Sequence, residues 1–442
     1  MRRVSRVLAI LFLLGLLPLV FLAPDALLVA AGYGAKQLCS GVFVAGLPQS
    51  FVVQRDIRPR LSLLGPALAA LDLSIDRRTA SAEASLLGVS ARASYREGRG
   101  CALFADSQYE GQDEYRFSPA PTVQKDFELA PADSDLRLAI DEAFREPPDA
   151  GRNTLALLVS EQGQLMAERY AEPISASNPL QGWSMNKSLV ATWVGMQAER
   201  GALDPNWPLR ESDEVTEFAQ LDSELNLLHL LQMESGLGFR EFYGPGADVT
   251  RMLYKESAMW KVPATSGTDF APGESFSYSS GDAVLASFVW QRSLELPYEV
   301  WIRRAFSEPL GISSLVAEAD ASGVQVGSSY AYMTGRDWLR VGQLWLDAWH
   351  GRSELLAQSW LRDSVQPRPS DALGRYGRGF WLNTGGVAFS GLPESLFYAS
   401  GSAGQLVIVI PEWEMVVVRL GLTTVMTNTG VHSFLQALAK RR

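Results

Sequence analysis

Residues 182–190 read Gly-Trp-Ser-Met-Asn-Lys-Ser-Leu-Val and contain the only Ser-x-x-Lys of the chain, formed by Ser184 and Lys187. Apolar residues recur at helical spacing between residues 189 and 196, and Gly201 supplies a C-terminal stop, so a helix is predicted here. A serine in the first turn of a helix lies where outward-pointing N–H groups favour negative charge, and a lysine three residues later lies on the same face. This pattern fits a nucleophilic serine with a basic partner, but it also fits a capping serine beside a surface lysine.

The composition is that of a globular protein. The chain has 442 residues, of which 47% are hydrophobic and 20% are charged. This length is enough for one large domain or two smaller ones. The net charge of −10, with no basic stripe along the sequence, argues against nucleic acid or an anionic membrane surface as a partner.

The N-terminus is predicted to direct export. Three arginines precede an uncharged run over residues 7–23. A basic start followed by such a run is typical of an export signal or a signal anchor, and we assign residues 1–35 to it. The expected location is the periplasmic side of the inner membrane, tethered by this segment, or released after cleavage near residues 30 and 31.

The next region is predicted to be an accessory β-rich segment, residues 36–130. Residues 71–76 and 80–96 alternate between small or apolar and polar side chains, which is typical of strands. The only two cysteines, Cys39 and Cys101, fall within it. In an oxidising compartment they would form one disulfide closing a loop of ~60 residues and stabilising by roughly 4 kcal/mol, whereas two buried thiols are the alternative.

The main domain is predicted to span residues 131–442 and to have an α+β fold. A helix and a hairpin are expected at its start and a hairpin and a helix at its end, over residues 136–144, 154–170, 405–420 and 431–440. This order predicts one antiparallel sheet assembled from both ends of the domain and flanked by the N- and C-terminal helices. The middle would form a mostly helical second lobe, and a cleft between lobes is a common place for an active site.

Two further motifs carry candidate chemistry. Residues 272–281 read Pro-Gly-Glu-Ser-Phe-Ser-Tyr-Ser-Ser-Gly and place Tyr278 just before a predicted helix. A tyrosine beside a lysine ammonium loses its proton more easily and can act as a general base, although a packed tyrosine is the simpler interpretation. Residues 400–405 read Ser-Gly-Ser-Ala-Gly-Gln and lead directly into an apolar strand, where a backbone N–H can complete an oxyanion hole. An ordinary tight turn would look the same.

In this order the three motifs resemble the serine β-lactamase and penicillin-binding-protein superfamily. The similarity is greatest to the branch with class C β-lactamases, esterases, D-amino-acid peptidases and 6-aminohexanoate-dimer hydrolases. It covers about residue 130 to the C-terminus and includes residues 227–237, 308–312 and 328–337. The resemblance implies a β-lactamase/transpeptidase-like fold without a metal or organic cofactor.

The resemblance also implies roles for individual residues. Ser184 would be the acylated nucleophile, Lys187 would take its proton or lower the pKa of the tyrosine, and Tyr278 would be the base for acylation. The backbone N–H groups of Ser184 and Gln405 would form the oxyanion hole. Other residues that would contact substrate are Ser280, Ser402, Ala403, Gly404, Tyr243 and Asp248.

Two departures from the family pattern affect the expected substrate. Tyr278-Ser-Ser280 stands where class C enzymes have Tyr-x-Asn, and Ser402-Ala-Gly404 stands where they have Lys-Thr-Gly. The missing lysine would ordinarily meet the carboxylate of a β-lactam, and a lost charge-assisted contact is costly for recognition. Arg375 or Arg378 could replace that cation, although solvated loop arginines are the simpler interpretation.

We therefore expect a serine hydrolase acting on a small ester or amide, in the manner of an esterase or a 6-aminohexanoate-dimer hydrolase. β-Lactamase or D-amino-acid peptidase activity is the nearest alternative. A non-catalytic, membrane-anchored binding protein on a hydrolase scaffold is the alternative from another class. A Ser-His-Asp hydrolase is disfavoured because His229, His350 and His432 all fall in or beside predicted helices and no Gly-x-Ser-x-Gly is present.

Overall fold

The computed structural model describes residues 24–104, 134–147, 151–212, 214–424 and 429–442. The uncharged run over residues 7–23 lies outside these residues. In chain order the strands are β1 Asp72–Asp76, β2 Ser81–Leu86, β3 Val89–Arg96, β4 Gly100–Leu103, β5 Thr154–Glu161, β6 Gln164–Tyr170, β7 Leu180–Gln181, β8 Val316–Ala317, β9 Ala331–Met333, β10 Trp381–Leu382, β11 Phe397–Gly401, β12 Gln405–Ile410 and β13 Met415–Gly421.

The helices are named in the same way. They are α1 Pro24–Val44, α2 (residues 49–64), α3 Ser134–Phe144, α4 Asn186–Glu199, α5 Leu227–Leu231, α6 Asp248–Lys255, α7 Lys261–Ala264, α8 Ser280–Arg292, α9 (residues 298–310), α10 Gly335–Trp349, α11 Gln358–Ser364 and α12 Val431–Ala439. Helix α2 contains a π-helical segment, Val52–Ile57, and α9 contains another, Ile302–Ser307.

The central sheet is antiparallel, with the strand order β10-β11-β12-β13-β5-β6. Strand β13 pairs with β12 on one side and with β5 on the other, so the sheet is built from both ends of the domain, which confirms the predicted α+β fold. Side chains of β12 and β13 alternate between two cores. Val416 and Val418 face the core that includes α10, whereas Met415 and Val417 face the core that includes α3 and α12.

Helix α10 approaches this sheet closely because it has a glycine at the crossing. A Cβ on Gly342 would lie 2.3 Å from a methyl of Val416 and 2.9 Å from a methyl of Val407. Apart from α10, the residues between β6 and β10 form the second lobe, which is mostly helical as predicted. Its centre is the contact of α4 with α8, where Trp193 stacks on Trp290 with ring centroids 5.1 Å apart.

The β-rich extension is also present. Strands β1 to β4 form an antiparallel sheet in sequence order, and a disulfide joins Cys39 in α1 to Cys101 in β4. Helix α1 is the only described helix long and apolar enough to cross a membrane, yet 72% of its most apolar window is buried within the protein. The predicted segment 1–35 therefore ends inside a continuous helix that packs into the fold.

A buried ion pair attaches α1 to the main domain. The Lys36 ammonium contacts the Glu318 carboxylate, and both side chains are almost fully buried. Glu318 also accepts hydrogen bonds from the Ser40 hydroxyl at 2.9 Å and from the backbone N–H of Cys101 at 2.7 Å. Because removing one partner would leave the other charge buried and unpaired, this group strongly disfavours separation of the extension from the hydrolase-like part.

Candidate functional site

Ser184 lies in a tight 3₁₀ turn, Trp183–Met185, directly before α4. The end of β11 packs against this turn because it carries a glycine. A Cβ on Gly401 would lie 2.1 Å from the carbonyl oxygen of Gly182 and 3.1 Å from the backbone nitrogen of Ser184. Trp183 has a φ of +49°, a left-handed conformation that costs a non-glycine residue about 1–2 kcal/mol. The backbone is thus held in a strained form that brings the Ser184 turn against the end of β11.

Lys187 reaches Ser184 across the first turn of the helix. Its Nζ atom lies 3.0 Å from Ser184 Oγ, 3.2 Å from Ser280 Oγ and 3.2 Å from the carbonyl oxygen of Ser328. The side chain is only 2% exposed. Three oxygen acceptors match the three N–H donors of an ammonium group, so the buried charge is fully hydrogen-bonded.

The ring of Tyr278 lies beside this ammonium. Lys187 Nζ is 4.7 Å from the ring centroid, within the range of a cation–π contact. Tyr376 and Trp381 fix the orientation of the ring, with centroids at 5.8 and 5.2 Å. The Ser184 hydroxyl, the Lys187 ammonium and the ring of Tyr278 therefore meet in one place, with the ammonium in contact with both the hydroxyl and the ring.

Ser280 connects the lysine to a carboxylate that the sequence analysis did not identify. The backbone N–H and the hydroxyl of Ser280 donate to the two carboxylate oxygens of Glu241, each at 2.7 Å. The hydroxyl of Tyr243 also donates to Glu241, at 3.2 Å. The result is a hydrogen-bonded path from Glu241 through Ser280 to Lys187 and Ser184. Glu241 lies in the loop after Leu237, and no motif spacing marks it.

The third predicted motif forms a turn whose carbonyl groups accept hydrogen bonds from the side chains of Arg419 and Gln405. Arg419 donates to the carbonyl oxygens of Ala403 and Gly404 at 3.1 and 2.8 Å. The side-chain amide of Gln405 donates to the carbonyl of Ser402 at 3.2 Å and accepts from the N–H of Gly421 at 3.0 Å. These contacts fix the start of β12, where the predicted oxyanion-hole N–H of Gln405 is located.

Asp248, another predicted substrate contact, has its hydrogen-bond partners outside this centre. Asp248 accepts hydrogen bonds from the backbone N–H of Arg240 and from Arg251, and no described contact links it to Ser184, Lys187 or Tyr278. Its carboxylate is used locally, at the start of α6.

The two arginines proposed as replacement cations are also engaged elsewhere. Arg375 pairs with Asp371 at 3.0 Å. Arg378 is buried over the ring of Trp360, and burial lowers its pKa. Neither has a described contact with the turn at residues 402–404.

A second acidic group lies below Ser280. Asp282 is in the first turn of α8, and its side chain is almost fully buried. Burial raises the pKa of Asp282 to about 7, and the negative charge of Glu241 acts in the same direction. The nearby hydroxyls of Ser235 and Ser279 oppose this shift. Asp282 therefore becomes negatively charged as the pH rises through neutrality. The carboxylate that is hydrogen-bonded to Ser280, and through it linked to Lys187, is Glu241 and not Asp282.

Comparison with known proteins gives one family and several structural neighbours. A family model described as Beta-lactamase matches residues 140–434. A putative 6-aminohexanoate-dimer hydrolase from Bacillus anthracis is 18% identical, with 72% of this chain and 86% of that chain covered and a TM-score of 0.54. D-amino acid amidase from Ochrobactrum anthropi SV3 is 19% identical, with 70% and 100% covered and a TM-score of 0.55.

A third similar structure is EstCE1, described as a hydrolase with promiscuous acyltransferase activity. It is 14% identical, with 69% of this chain and 98% of that chain covered and a TM-score of 0.57. No curated protein matches the sequence. At these identities the structural neighbours show the fold.

Proposed function

This chain belongs to the β-lactamase family, and we propose that it is a serine hydrolase that forms an acyl-enzyme on Ser184 and cleaves a small ester or amide. The observation that carries the proposal is the placement of Lys187 Nζ, 3.0 Å from Ser184 Oγ and 4.7 Å from the ring centroid of Tyr278. A nucleophile in contact with a basic group, itself oriented by further partners, is the arrangement that covalent catalysis requires.

In the proposed mechanism, Ser184 Oγ attacks the carbonyl carbon of the substrate and forms a tetrahedral intermediate. Tyr278 takes the proton from Ser184 and delivers it to the leaving group, while the Lys187 ammonium beside both groups stabilises the negative charge that develops during the transfer. The backbone N–H groups of Ser184 and Gln405 stabilise the oxyanion. Water then attacks the acyl-enzyme, and the same groups move the proton in the opposite direction.

Glu241 acts in this proposal as a positioning residue. By accepting from the Ser280 hydroxyl it leaves an oxygen lone pair of Ser280 facing the Lys187 ammonium. This chain of contacts would fix the place of the Lys187 ammonium beside Ser184.

Replacing Glu241 by glutamine is expected to lower kcat by about 10-fold, the equivalent of losing ~1.4 kcal/mol of transition-state stabilisation, with a smaller effect on KM. Steady-state kinetics would measure the effects on kcat and KM separately. Glu224→Gln removes an exposed carboxylate elsewhere and serves as the control. An unchanged kcat in Glu241→Gln would exclude the positioning role.

The substrate class is best tested with a panel of small molecules. We expect hydrolysis of p-nitrophenyl esters or of linear amide dimers, with a chromogenic cephalosporin turned over more slowly because Ser402 stands where class C enzymes have lysine. If the cephalosporin is the only compound turned over, the proposed esterase or amidase activity is wrong and the protein is a β-lactamase. No turnover of any compound, under conditions in which a control hydrolase is active, would favour the non-catalytic scaffold.

The proposal includes export from the cytoplasm. A disulfide between Cys39 and Cys101 fits an oxidising compartment, and the N-terminal sequence carries the features of a signal anchor. We propose that residues before α1 tether the protein to the inner membrane, and that the extension and the hydrolase domain, residues 131–442, lie on the periplasmic side.

A further inference from the structure

Helix α2 of the N-terminal extension lies at the edge of the catalytic centre. Its residue Arg60 is remote in sequence from the family match, which begins at residue 140. Arg60 Nη1 lies 3.4 Å from the hydroxyl of Ser402, and the guanidinium carbon lies 5.2 Å from the ring centroid of Trp183. Trp183 precedes the proposed nucleophile, and Ser402 belongs to the turn before β12. The guanidinium is therefore placed between the two segments that form the proposed oxyanion hole.

One side of this guanidinium is fixed by the extension itself. Arg60 Nε donates to Asp56 at 2.8 Å, one turn earlier in α2, and the hydroxyl of Tyr33 in α1 donates to the same carboxylate at 3.2 Å. These contacts orient the arginine, and its Nη1 atom reaches the hydroxyl of Ser402. An arginine held in this way loses less conformational freedom when it binds a ligand.

The terminal nitrogens of Arg60 make few hydrogen bonds to the described residues. Nη1 makes only the long contact with the neutral hydroxyl of Ser402, and Nη2 is buried without a hydrogen-bond partner among the described residues. An unsatisfied buried donor is costly, and one on a charged group more so. A substrate carboxylate at Nη1 would replace the long contact with Ser402 by a shorter, charge-assisted hydrogen bond.

Access to the arginine is partly open. The Arg60 side chain is 22% exposed, and Ser402 is exposed. A charge that is partly withdrawn from water interacts more strongly with an anion than a fully solvated one, because solvent and salt screen it less. A substrate lying along the 402–404 turn would meet this charge first.

We propose that Arg60 binds a carboxylate carried by the substrate, so that the N-terminal extension forms part of the active site and selects anionic esters or amides. This inference rests on the proposed function of Ser184 and deepens it by naming a substrate class. It also gives the extension a role in substrate binding. The extension would hold the Arg60 guanidinium in a fixed place beside the turn of Ser402.

The test compares matched pairs of esters on the full-length protein. One pair is p-nitrophenyl butyrate and mono-p-nitrophenyl glutarate, in which the carboxylate is on the acyl side. The other is phenyl acetate and 4-acetoxybenzoate, in which it is on the leaving-group side. In Arg60→Gln we expect the ratio of kcat/KM for the charged ester over the neutral ester to fall by about 10- to 100-fold in at least one pair.

Two variants control for charge and folding. Arg58→Gln removes an exposed arginine from the same helix and should leave both ratios unchanged. Arg60→Lys keeps the charge but loses the planar pair of donors, so its ratios should lie between those of the parent and Arg60→Gln. Thermal unfolding of each variant shows whether the fold is retained. If Arg60→Gln does not fold, Arg60→Lys decides, and parental ratios there would overturn the inference.

A binding measurement separates this inference from the proposed function. Calorimetric titration of the parent with glutarate and with the neutral glutaramide needs no turnover. If no ester is hydrolysed but glutarate binds and Arg60→Gln weakens it at least about 10-fold, the proposed function fails and Arg60 keeps its role. If esters are hydrolysed but both ratios and glutarate binding are the same in Arg60→Gln as in the parent, the carboxylate site is disproved and the hydrolase remains.

Discussion

Replacing Ser184 by alanine is expected to lower kcat by about 10⁴-fold or more on every substrate that the protein turns over. If the proposed mechanism holds, no acyl-enzyme can form without Oγ, and the proposed oxyanion hole and Lys187 then act only on the uncatalysed attack of water. The fold should be retained, because Ser184 Oγ provides one of three acceptors of Lys187, and Ser280 and the Ser328 carbonyl remain. Steady-state kinetics and thermal unfolding would measure the two effects.

A covalent probe gives a second measurement of the same prediction. A fluorophosphonate should label the parent protein and the control variant Ser223→Ala, which loses an exposed serine far along the chain, but not Ser184→Ala. Mass spectrometry of the labelled peptide should place the adduct within residues 182–190. Full activity or undiminished labelling in Ser184→Ala would refute the proposed nucleophile.

Removing the ammonium of Lys187 is expected to have the next largest effect. Lys187→Met keeps much of the side-chain volume but leaves Ser184, Ser280 and the Ser328 carbonyl without their shared donor. Loss of proton-transfer catalysis should lower kcat by about 10²- to 10⁴-fold, far more than it raises KM. Single-turnover kinetics with a p-nitrophenyl ester would show whether acylation is the step that slows.

A companion variant separates the ammonium from the phenol. Tyr278→Phe keeps the ring contacts with Tyr376 and Trp381 and removes only the hydroxyl, so it should fold normally and show a kcat loss of the same order. The acylation rate should fall in both variants. A Lys187→Met protein with normal kcat would exclude the Ser-Lys-Tyr mechanism, whatever the behaviour of Tyr278→Phe.

Much of the fold was accessible from the sequence because its signals are local. Strands β12 and β13 are short apolar runs bounded by turn residues, and the helices that flank the sheet carry a 3.6-residue apolar period. The short edge strand β10 and strand β11 were not predicted, since their pairing depends on neighbours rather than on their own residues. Residues 24–35 of α1 were assigned to the export segment 1–35, because composition alone cannot distinguish a bilayer from a protein core as the surroundings of an apolar helix.

The residues of the candidate site could be predicted only where a sequence motif marks them. Ser184 and Lys187 lie one helical turn apart, and Tyr278 was found through a resemblance, although its own sequence context is weak. Glu241 and Arg60 were missed because their contacts are made by the fold, 39 residues from Ser280 and 342 residues from Ser402. A carboxylate in a loop and an arginine in a remote helix have no spacing that would mark them.

The position of β13 between β12 and β5 has a consequence for biosynthesis. During synthesis on the ribosome the hairpin of β5 and β6 emerges well before its partner strand β13, which follows the whole second lobe in the chain. Pairing between segments so distant in sequence is slow, because a long loop must close before any contact is gained. The Ser184 turn meets the end of β11 and the start of β12 only when this pairing is complete. A nascent chain from which β13 has not yet emerged would therefore lack the proposed hydrolytic centre.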